Sequence, residues 1–490
     1  MELTEVINNM KVDYIKGDTK INIKDIKYDS REVEEGDLFI CVQGFKTDGH
    51  KFINDVIKNG SRAVVIDKEL ADYNDDITYI KVEDSRKAMP ILAKNFFEDP
   101  LEDIDLIGVT GTNGKTTTTY LIKDILNKSG YKTGLIGTIE VFNGNETINS
   151  SRTTPEALDI YRFLAEMRKN EVKYAVMEVS SHALALNRVD TMQFKSAVFT
   201  NLTQDHLDYH NTMEDYASQK AKLFKKIKKD GTAIINNDDD YAELFKSQTD
   251  NQIITYSLNN DSDLKAENIE LSLRGVKFSI DDLRFDLNLT GKFNIYNSLA
   301  AIGVAKGLEL DDNIIKESLE NVPGIPGRFE TVNLDQSFNV IVDYAHTPDS
   351  MINILEAVKH FDHNNIIIVF GCGGERDKGK RPIMGEIAVR EGDSVVVTTD
   401  NPRSEDPATI ISEIEKGIKD SKFDTPYLIV SDREEAIFEA VNQAQKDDVV
   451  IIFGKGHETY QVFADKTIDI DDREVAKRAI KKKMSESENV

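Results

Sequence analysis

Cysteine is scarce. Cys41 and Cys372 are the two in 490 residues, too few for a disulfide framework, and no Cys/His spacing marks a zinc site. Long apolar runs are missing as well: 366-IIIVF-370 and 449-VVIIF-453 have the length of buried strands and fall far short of a bilayer span. The opening 1-MELTEVINNM-10 holds neither a basic n-region nor an apolar h-region, so no secretory signal is legible. These absences point to a reducing, cytoplasmic setting away from membranes. Basic charge is short too, with 61 Lys and Arg against 87 Asp and Glu and a formal net charge of −26. That balance argues against a general nucleic-acid or membrane-surface role, since both need basic patches. Any anionic ligand is left to local arginines, lysines and helix N-termini.

What is present divides into three blocks, and 40% hydrophobic content suffices for a core in each. Residues 1–100 carry short strands and turns such as 36-GDLFICVQG-44 and 62-RAVVID-67, followed by the acidic connector 96-FFEDPLEDID-105. Residues 101–324 open on the strand-like 104-IDLIGVT-110. The stretch 321-NVPGIPGRFE-330, with its paired prolines and glycines, punctuates the boundary to residues 325–490. That last block alternates strand-like runs (339–345, 366–372, 394–400, 427–432, 448–454) with helix-length segments, as βα units around a parallel sheet do. The runs end in polar or glycine-rich signatures at Asp343, Gly373 to Arg376, Asp400 to Arg403 and Gly454 to Glu458, which places chemistry on one sheet edge. The expected fold is α/β in three domains: a small N-terminal α/β domain, a central phosphate-loop domain on a parallel sheet, and a Rossmann-like C-terminal domain. The tail 481-KKKMSESENV-490 reads as frayed.

In 108-GVTGTNGKTTTT-119 a strand feeds a glycine loop and then a helix beginning near Lys115. Backbone N–H groups of such a loop cradle phosphates, Lys115 reaches the β/γ oxygens, and the Thr116 hydroxyl can ligate Mg²⁺. Val109, not glycine, sits five residues before Gly114, a departure from the strict pattern. A GTPase would carry Asn-Lys-x-Asp, whereas 127-NKSG-130 ends in glycine, and no protein-kinase catalytic loop is present. Instead 174-YAVMEVSSHAL-184 places Glu178 like a metal-liganding acid, and 197-AVFTNLTQDHLDYHNT-212 runs into an acid- and histidine-rich turn. Of eight histidines, His182, His206, His210, His346 and His457 fall inside such strand-end signatures, a concentration that favours function over isolated structural roles.

The motifs 110-TGTNGKT-116, 177-MEVSSHAL-184, 200-TNLTQDHLDYH-210, 290-TGKFNIYNSLAA-301, 324-GIPGRFE-330, 343-DYAHTPDS-350 and 371-GCGGERDKGKRP-382 together resemble the Mur ligase family. The stretches 27-KYDSREVEEGDLFICVQG-44, 400-DNPR-403 and 454-GKGHETYQ-461 resemble the branch that adds the third residue of the peptidoglycan stem peptide. The resemblance implies a monomeric ATP- and Mg²⁺-dependent ligase. It would activate the D-Glu γ-carboxylate of UDP-MurNAc-L-Ala-D-Glu as an acyl phosphate for attack by an amino acid. By the same resemblance Thr110, Gly111, Thr112, Asn113, Gly114, Lys115 and Thr116 hold ATP, together with Asn297, Arg328 and Asp343. Thr116 and Glu178 bind one Mg²⁺, His206 helps place a second, and Lys220 becomes an N-carbamate ligand. On residues alone, Lys220 shares its segment with Lys222, Lys225 and Lys226 and reads equally as part of a solvated face. Asn297 reads equally as a turn or cap residue.

Ser30 matches the uracil-end contact of a UDP-sugar-binding N-terminal domain. Thr153, Thr154, Ser180 and Arg188 match contacts further along the sugar nucleotide, while 153-TTP-155 also reads as a helix N-cap. Arg376, Asp400, Asn401, Pro402, Arg403, Gly454 and Glu458 match the site for the incoming amino acid. Meso-diaminopimelate carries an amino-acid head at each end, and pairing Arg403 with Glu458 meets its distal one. Lysine lacks that distal carboxylate. Rival readings are other branches of the family, the folylpolyglutamate ligases among them, and a regulatory nucleotide-binding protein that has lost catalysis.

Overall fold

The computed structural model describes residues 1–44, 47–149, 152–207, 209–272 and 275–487. The chain forms a three-domain α/β protein. Its N-terminal sheet orders five strands as Tyr14–Lys16, Thr78–Lys81, Ala63–Ile66, Leu38–Ile40 and Ile26–Lys27, with Tyr14–Lys16 alone antiparallel to its neighbour. Ala63–Ile66 and Leu38–Ile40 are buried at every position, because a parallel strand covered on both faces has no solvent side to alternate with.

Nine strands form the central sheet, with Asp105–Thr110 between Phe194–Phe199 and Tyr174–Glu178, both parallel to it. Its far edge turns antiparallel through Glu140–Phe142 and Thr147–Asn149. The three-stranded antiparallel sheet Glu267–Ser272, Gly275–Ile280, Leu283–Leu287 packs beside it.

In the C-terminal sheet, Asn339–Asp343, Val449–Phe453, Ile366–Phe370, Ser394–Val397 and Tyr427–Ile429 run parallel in that spatial order, and Glu330–Thr331 joins antiparallel at one edge. Ile366–Phe370 and Val449–Phe453 are buried throughout, as their unbroken apolar character requires. Because the strands are parallel, the expected signatures emerge on one edge. The tail departs from expectation: a helix spans Asp472–Ser487, anchored by the buried Val475, Ala476, Ala479 and Ile480. Residues 488–490 lie outside the described residues. Among the described residues no helix is long and apolar enough to cross a membrane.

Candidate active site

The strand Asp105–Thr110 delivers the chain to Gly111, and the helix Lys115–Lys128 leaves from Gly114. Both glycines are required by their backbone and by space. Gly111 has φ +149° and Gly114 φ +84°; a Cβ would lie 1.9 Å from Thr200 Oγ1 at the first and 2.3 Å from Asn297 Oδ1 at the second. Thr112 N donates to Asn201 O (2.8 Å) and Asn113 N to Asn201 Oδ1 (2.9 Å), pinning the loop to the end of the adjacent strand.

Lys115 Nζ donates to Gly111 O (3.0 Å) and Thr112 O (2.8 Å), and Lys220 Nζ donates to the same Gly111 O at 2.7 Å. Lys220 is 1% exposed, so the solvated-face reading fails for it, although Lys222 and Lys225 beside it are exposed. Burial, and next the positive charge of Lys115, hold the Lys220 amine well below the usual lysine range. Lys115 is also lowered, chiefly by burial.

Glu178, 1% exposed at the end of Tyr174–Glu178, accepts from Thr116 Oγ1 (3.1 Å), Thr138 N (2.7 Å) and Thr138 Oγ1 (3.0 Å). Thr116 Oγ1 also accepts from Arg328 Nη2 at 2.9 Å. Thr116 and Glu178 thus bring hydroxyl and carboxylate oxygens together, hard donors that fit Mg²⁺. Lys220 as a free amine adds no oxygen. His206 stands across Tyr216, 6.1 Å between ring centroids, with Lys220 Nζ 4.5 Å over that tyrosine. No cluster of three or more His, Cys, Asp and Glu poised for a metal occurs among the described residues.

Asn297 lies inside the helix Lys292–Gly307, buried, donating to Asn294 Oδ1 (2.9 Å). The turn or cap reading is therefore wrong. Arg328 stacks 4.6 Å over Tyr344. Asp343 spends both carboxylate oxygens on the backbone N–H groups of Phe329 and Ala345, each at 2.6 Å. Asp349, inside a quoted motif yet not singled out in sequence, accepts from Asn113 Nδ2 (2.7 Å) and Thr203 Oγ1 (3.3 Å), tying the C-terminal domain to the phosphate loop.

Thr154 Oγ1 donates to Glu178 O (2.8 Å) and accepts from Ser180 N (3.0 Å), while Arg188 binds Thr154 O and Glu156 Oε1, each at 2.7 Å. Thr153 Oγ1 accepts from Thr138 Oγ1 (3.0 Å). The N-cap reading of 153–155 fails, because the next helix is Ala157–Lys169 and its N-cap is Glu156. Ser180 does cap a helix, Ser181–Ala185. Ser30 opens the 3-10 turn Ser30–Glu32 in the N-terminal domain and makes no hydrogen bond to this group among the described residues.

The loops after Ile366–Phe370, Ser394–Val397 and Val449–Phe453 meet at the amino-acid candidates. A Cβ on Gly374 would lie 1.9 Å from Pro402 O, and one on Gly454 2.8 Å from Asp400 Oδ2. Arg403 and Glu375 hold left-handed backbones (φ +53° each), as does His206 (φ +56°), conformations that non-glycine residues keep only under constraint. Arg403 and Glu458, expected to share the two charges of a distal amino-acid head, are held by different partners. Glu458 Oε2 accepts from Asn401 Nδ2 (2.8 Å) and from Lys455 Nζ (3.1 Å), an ammonium with no side-chain exposure. Arg403 Nη1 donates to Gly374 O at 2.7 Å, and Arg376 Nη1 to Glu375 O at 3.0 Å. Burial, and next the like charge of Arg376, lower the Arg403 guanidinium from its ordinary value. Lys455 was missed in sequence; its place inside 454-GKGHETYQ-461 was the available signal.

Three family models match this chain: Mur ligase family, catalytic domain, over residues 22–97; Mur ligase middle domain over 109–305; and Mur ligase, glutamate ligase domain, over 327–456. A UDP-N-acetylmuramoyl-L-alanyl-D-glutamate–2,6-diaminopimelate ligase of Clostridium botulinum is 46% identical, covering 98% of this chain and all of that protein. One of the same name from Caldanaerobacter subterraneus is also 46% identical, over 98% and 99%. A solved structure of a ligase of this name, 32% identical, superposes with a TM-score of 0.68 over 99% of each chain. MurF from Acinetobacter baumannii, at 19% identity, shares the fold with a TM-score of 0.70 over 98% of each. The chain belongs to the Mur ligase family.

Proposed function

We propose that the protein is the ligase that joins meso-2,6-diaminopimelate to the D-Glu γ-carboxylate of UDP-MurNAc-L-Ala-D-Glu in peptidoglycan precursor synthesis. The observation that carries this reading is the cluster at the head of the phosphate loop, where Thr116 Oγ1 donates to the buried Glu178 and accepts from Arg328 while Lys115 is held on the Gly111 carbonyl. Full-length likeness to ligases of that name supports it. In this reading the N-terminal 1–100 holds the sugar nucleotide at Ser30, 101–324 holds ATP, and 325–490 holds the amino acid. The enzyme is a cytoplasmic monomer.

The γ-carboxylate oxygen attacks the γ-phosphorus of ATP, the bond to ADP breaks, and an acyl phosphate forms. The amine of diaminopimelate then adds to the acyl carbon, and the tetrahedral intermediate expels phosphate as the amine loses its proton. The loop from Thr110 to Thr116 and Lys115 hold the triphosphate. Asn297 and Asp343 set the nucleotide side, and Arg328 reaches it from the C-terminal domain. Thr116 and Glu178, with His206 and a carbamylated Lys220, would hold Mg²⁺, which when bound neutralises the γ-phosphate and the acceptor carboxylate so that two anions can meet. Lys220 suits carbamylation because burial lowers its amine well below the usual lysine range, favouring the unprotonated form: the nitrogen adds to CO₂, a proton leaves, and an anionic oxygen ligand results. Thr153, Thr154, Ser180 and Arg188 line the acceptor's approach. Arg403 and Arg376 take the distal carboxylate of diaminopimelate, and Glu458, shared with Lys455, takes its ammonium.

Mass spectrometry of the product tests the proposal. With ATP and the dipeptide precursor, diaminopimelate supplied alone is expected to give its adduct and lysine little or none. A lysine adduct of equal yield, or no ATP-dependent adduct, sinks it.

A further inference from the structure

Beneath the amino-acid loops lies an ion pair closed off from solvent. Arg433, at the start of the helix Arg433–Gln443, donates from Nε and Nη2 to Asp472 Oδ1 (2.8 Å) and Oδ2 (2.7 Å), and neither side chain has any exposure. The same guanidinium reaches Phe453 O (2.8 Å) and Thr399 O (3.4 Å). Those carbonyls precede Gly454, where one loop begins, and Asp400, near the start of a second. Gln461, buried as well, donates to Thr399 O (3.1 Å) and Asp400 O (2.6 Å). Arg473, next to Asp472, pairs with Glu330 (3.5 Å), whose carboxylate accepts from Gly327 N (2.7 Å). Gly327 precedes Arg328, the arginine on Thr116. It also packs so tightly on the loop that begins at Gly454 that a Cβ there would lie 2.1 Å from His457 N.

We infer that the first turn of the final helix is a positioning node with two arms: Asp472, through Arg433, sets the amino-acid loops, and Arg473, through Glu330, sets the approach of Arg328 to the nucleotide. A purely stabilising ion pair needs no contact with the two carbonyls that open the loops. Arg433 has both, and only a planar fork can reach Asp472 and the carbonyls together. The inference rests on the proposed function for its substrates, not for its geometry.

Removing one charge would strand the other, so the informative variant is Arg433→Met with Asp472→Leu, which replaces both by apolar groups. Arg433→Lys is the second variant; it keeps the charge and loses the fork. Misplacing a reactant by about 1 Å costs up to ~100-fold. The double variant is therefore expected to lower kcat/KM for diaminopimelate by about that factor while KM for ATP holds, and Arg433→Lys should show the same split at smaller size. Arg473→Gln is expected to reverse the split, raising KM for ATP about five-fold, as indirect couplings do. Hydrogen exchange gives a readout independent of activity: the double variant should lose protection at Thr399 to Arg403 and Gly454 to Glu458. If the wild type fails to use diaminopimelate, the proposed function falls, and exchange still decides the node. Retained protection in those loops, or equal kinetic losses for ATP and amino acid in every variant, overturns it.

Discussion

Lys115 and Lys220 share one carbonyl at Gly111, and burial, then the charge of Lys115, lower the Lys220 amine well below the usual lysine range. A neutral amine is the form that adds CO₂, so Lys220→Ala is expected to be nearly inactive and partly rescued by acetate occupying the vacated space. Full activity of Lys220→Arg, which keeps a cation and cannot be carbamylated, would count decisively against the carbamate. Lys115→Ala should keep the wild-type melting curve and lose roughly 100- to 1,000-fold in kcat, the scale of removing one donor from a developing charge; near-normal turnover at saturating ATP would remove the phosphate-loop assignment. For Arg403→Ala, loss of a charge partner for the distal carboxylate is worth roughly 2–5 kcal/mol. At ~1.4 kcal/mol per decade, kcat/KM for diaminopimelate should fall at least about 30-fold while lysine use changes little. Arg403 also braces Gly374 O, so an equal loss for both amino acids would mean that it acts only as a loop brace. The residues named in sequence for the phosphate loop meet in space because they are contiguous. Lys220 could not be placed that way, since its exposed neighbours Lys222 and Lys225 give the segment a solvated look and only the tertiary fold turns one lysine inward. Lys455, buried and paired with Glu458 three residues on, was hidden for a related reason, since sequence alone does not show which lysine of a glycine-rich turn points inward.

At the scale of elements, the parallel strands were legible because burial on both faces demands unbroken Val and Ile, and their ends were legible because the loops that follow are rich in glycine and charge. Caps and tails were not. The motif 153-TTP-155 has cap chemistry, yet Thr154 spends its hydroxyl on the Glu178 and Ser180 backbone and leaves Glu156 at the helix start. The charged tail from 481 was expected to fray, but the helix Asp472–Ser487 runs through residues 481–487 and Met484 packs against the core. The glycine loop makes the sharpest prediction at this scale. Gly111→Ala combines a φ of +149° with a 1.9 Å approach to Thr200 Oγ1, and strain of that kind costs roughly 1–3 kcal/mol. Isothermal titration should show ATP affinity weakened about ten-fold or more; unchanged affinity would mean that the loop does not form the phosphate cradle.

Across the whole molecule, the histidines that gather at the strand ends link stability to pH. Burial first, and then Lys380, push His346 down to about 4, and burial first, then Arg328, pushes His457 down to about 3. His182 is held near about 4 by burial and then by His210. Each is neutral in the folded chain, whereas an unfolded histidine titrates near 6.5. Between those values the unfolded chain binds more protons, so stability rises with pH. The contribution is complete above about pH 6.5 and is lost progressively as pH falls towards the folded values. Each proton is worth at most about 1.4 kcal/mol per pH unit, less here because these rings are half-buried. The urea midpoint is therefore expected to drop between pH 7.5 and pH 5.5, before most carboxylates titrate. His346 Nδ1 lies 3.0 Å from Tyr344 O, and asparagine can supply a donor there without a titrating ring. His346→Asn should accordingly keep the midpoint at pH 7.5 and recover part of the loss at pH 5.5. A midpoint that is flat or rises on acidification in the wild type would show that these rings are protonated in the folded protein, and that the histidine-rich edge is wetter than its packing indicates.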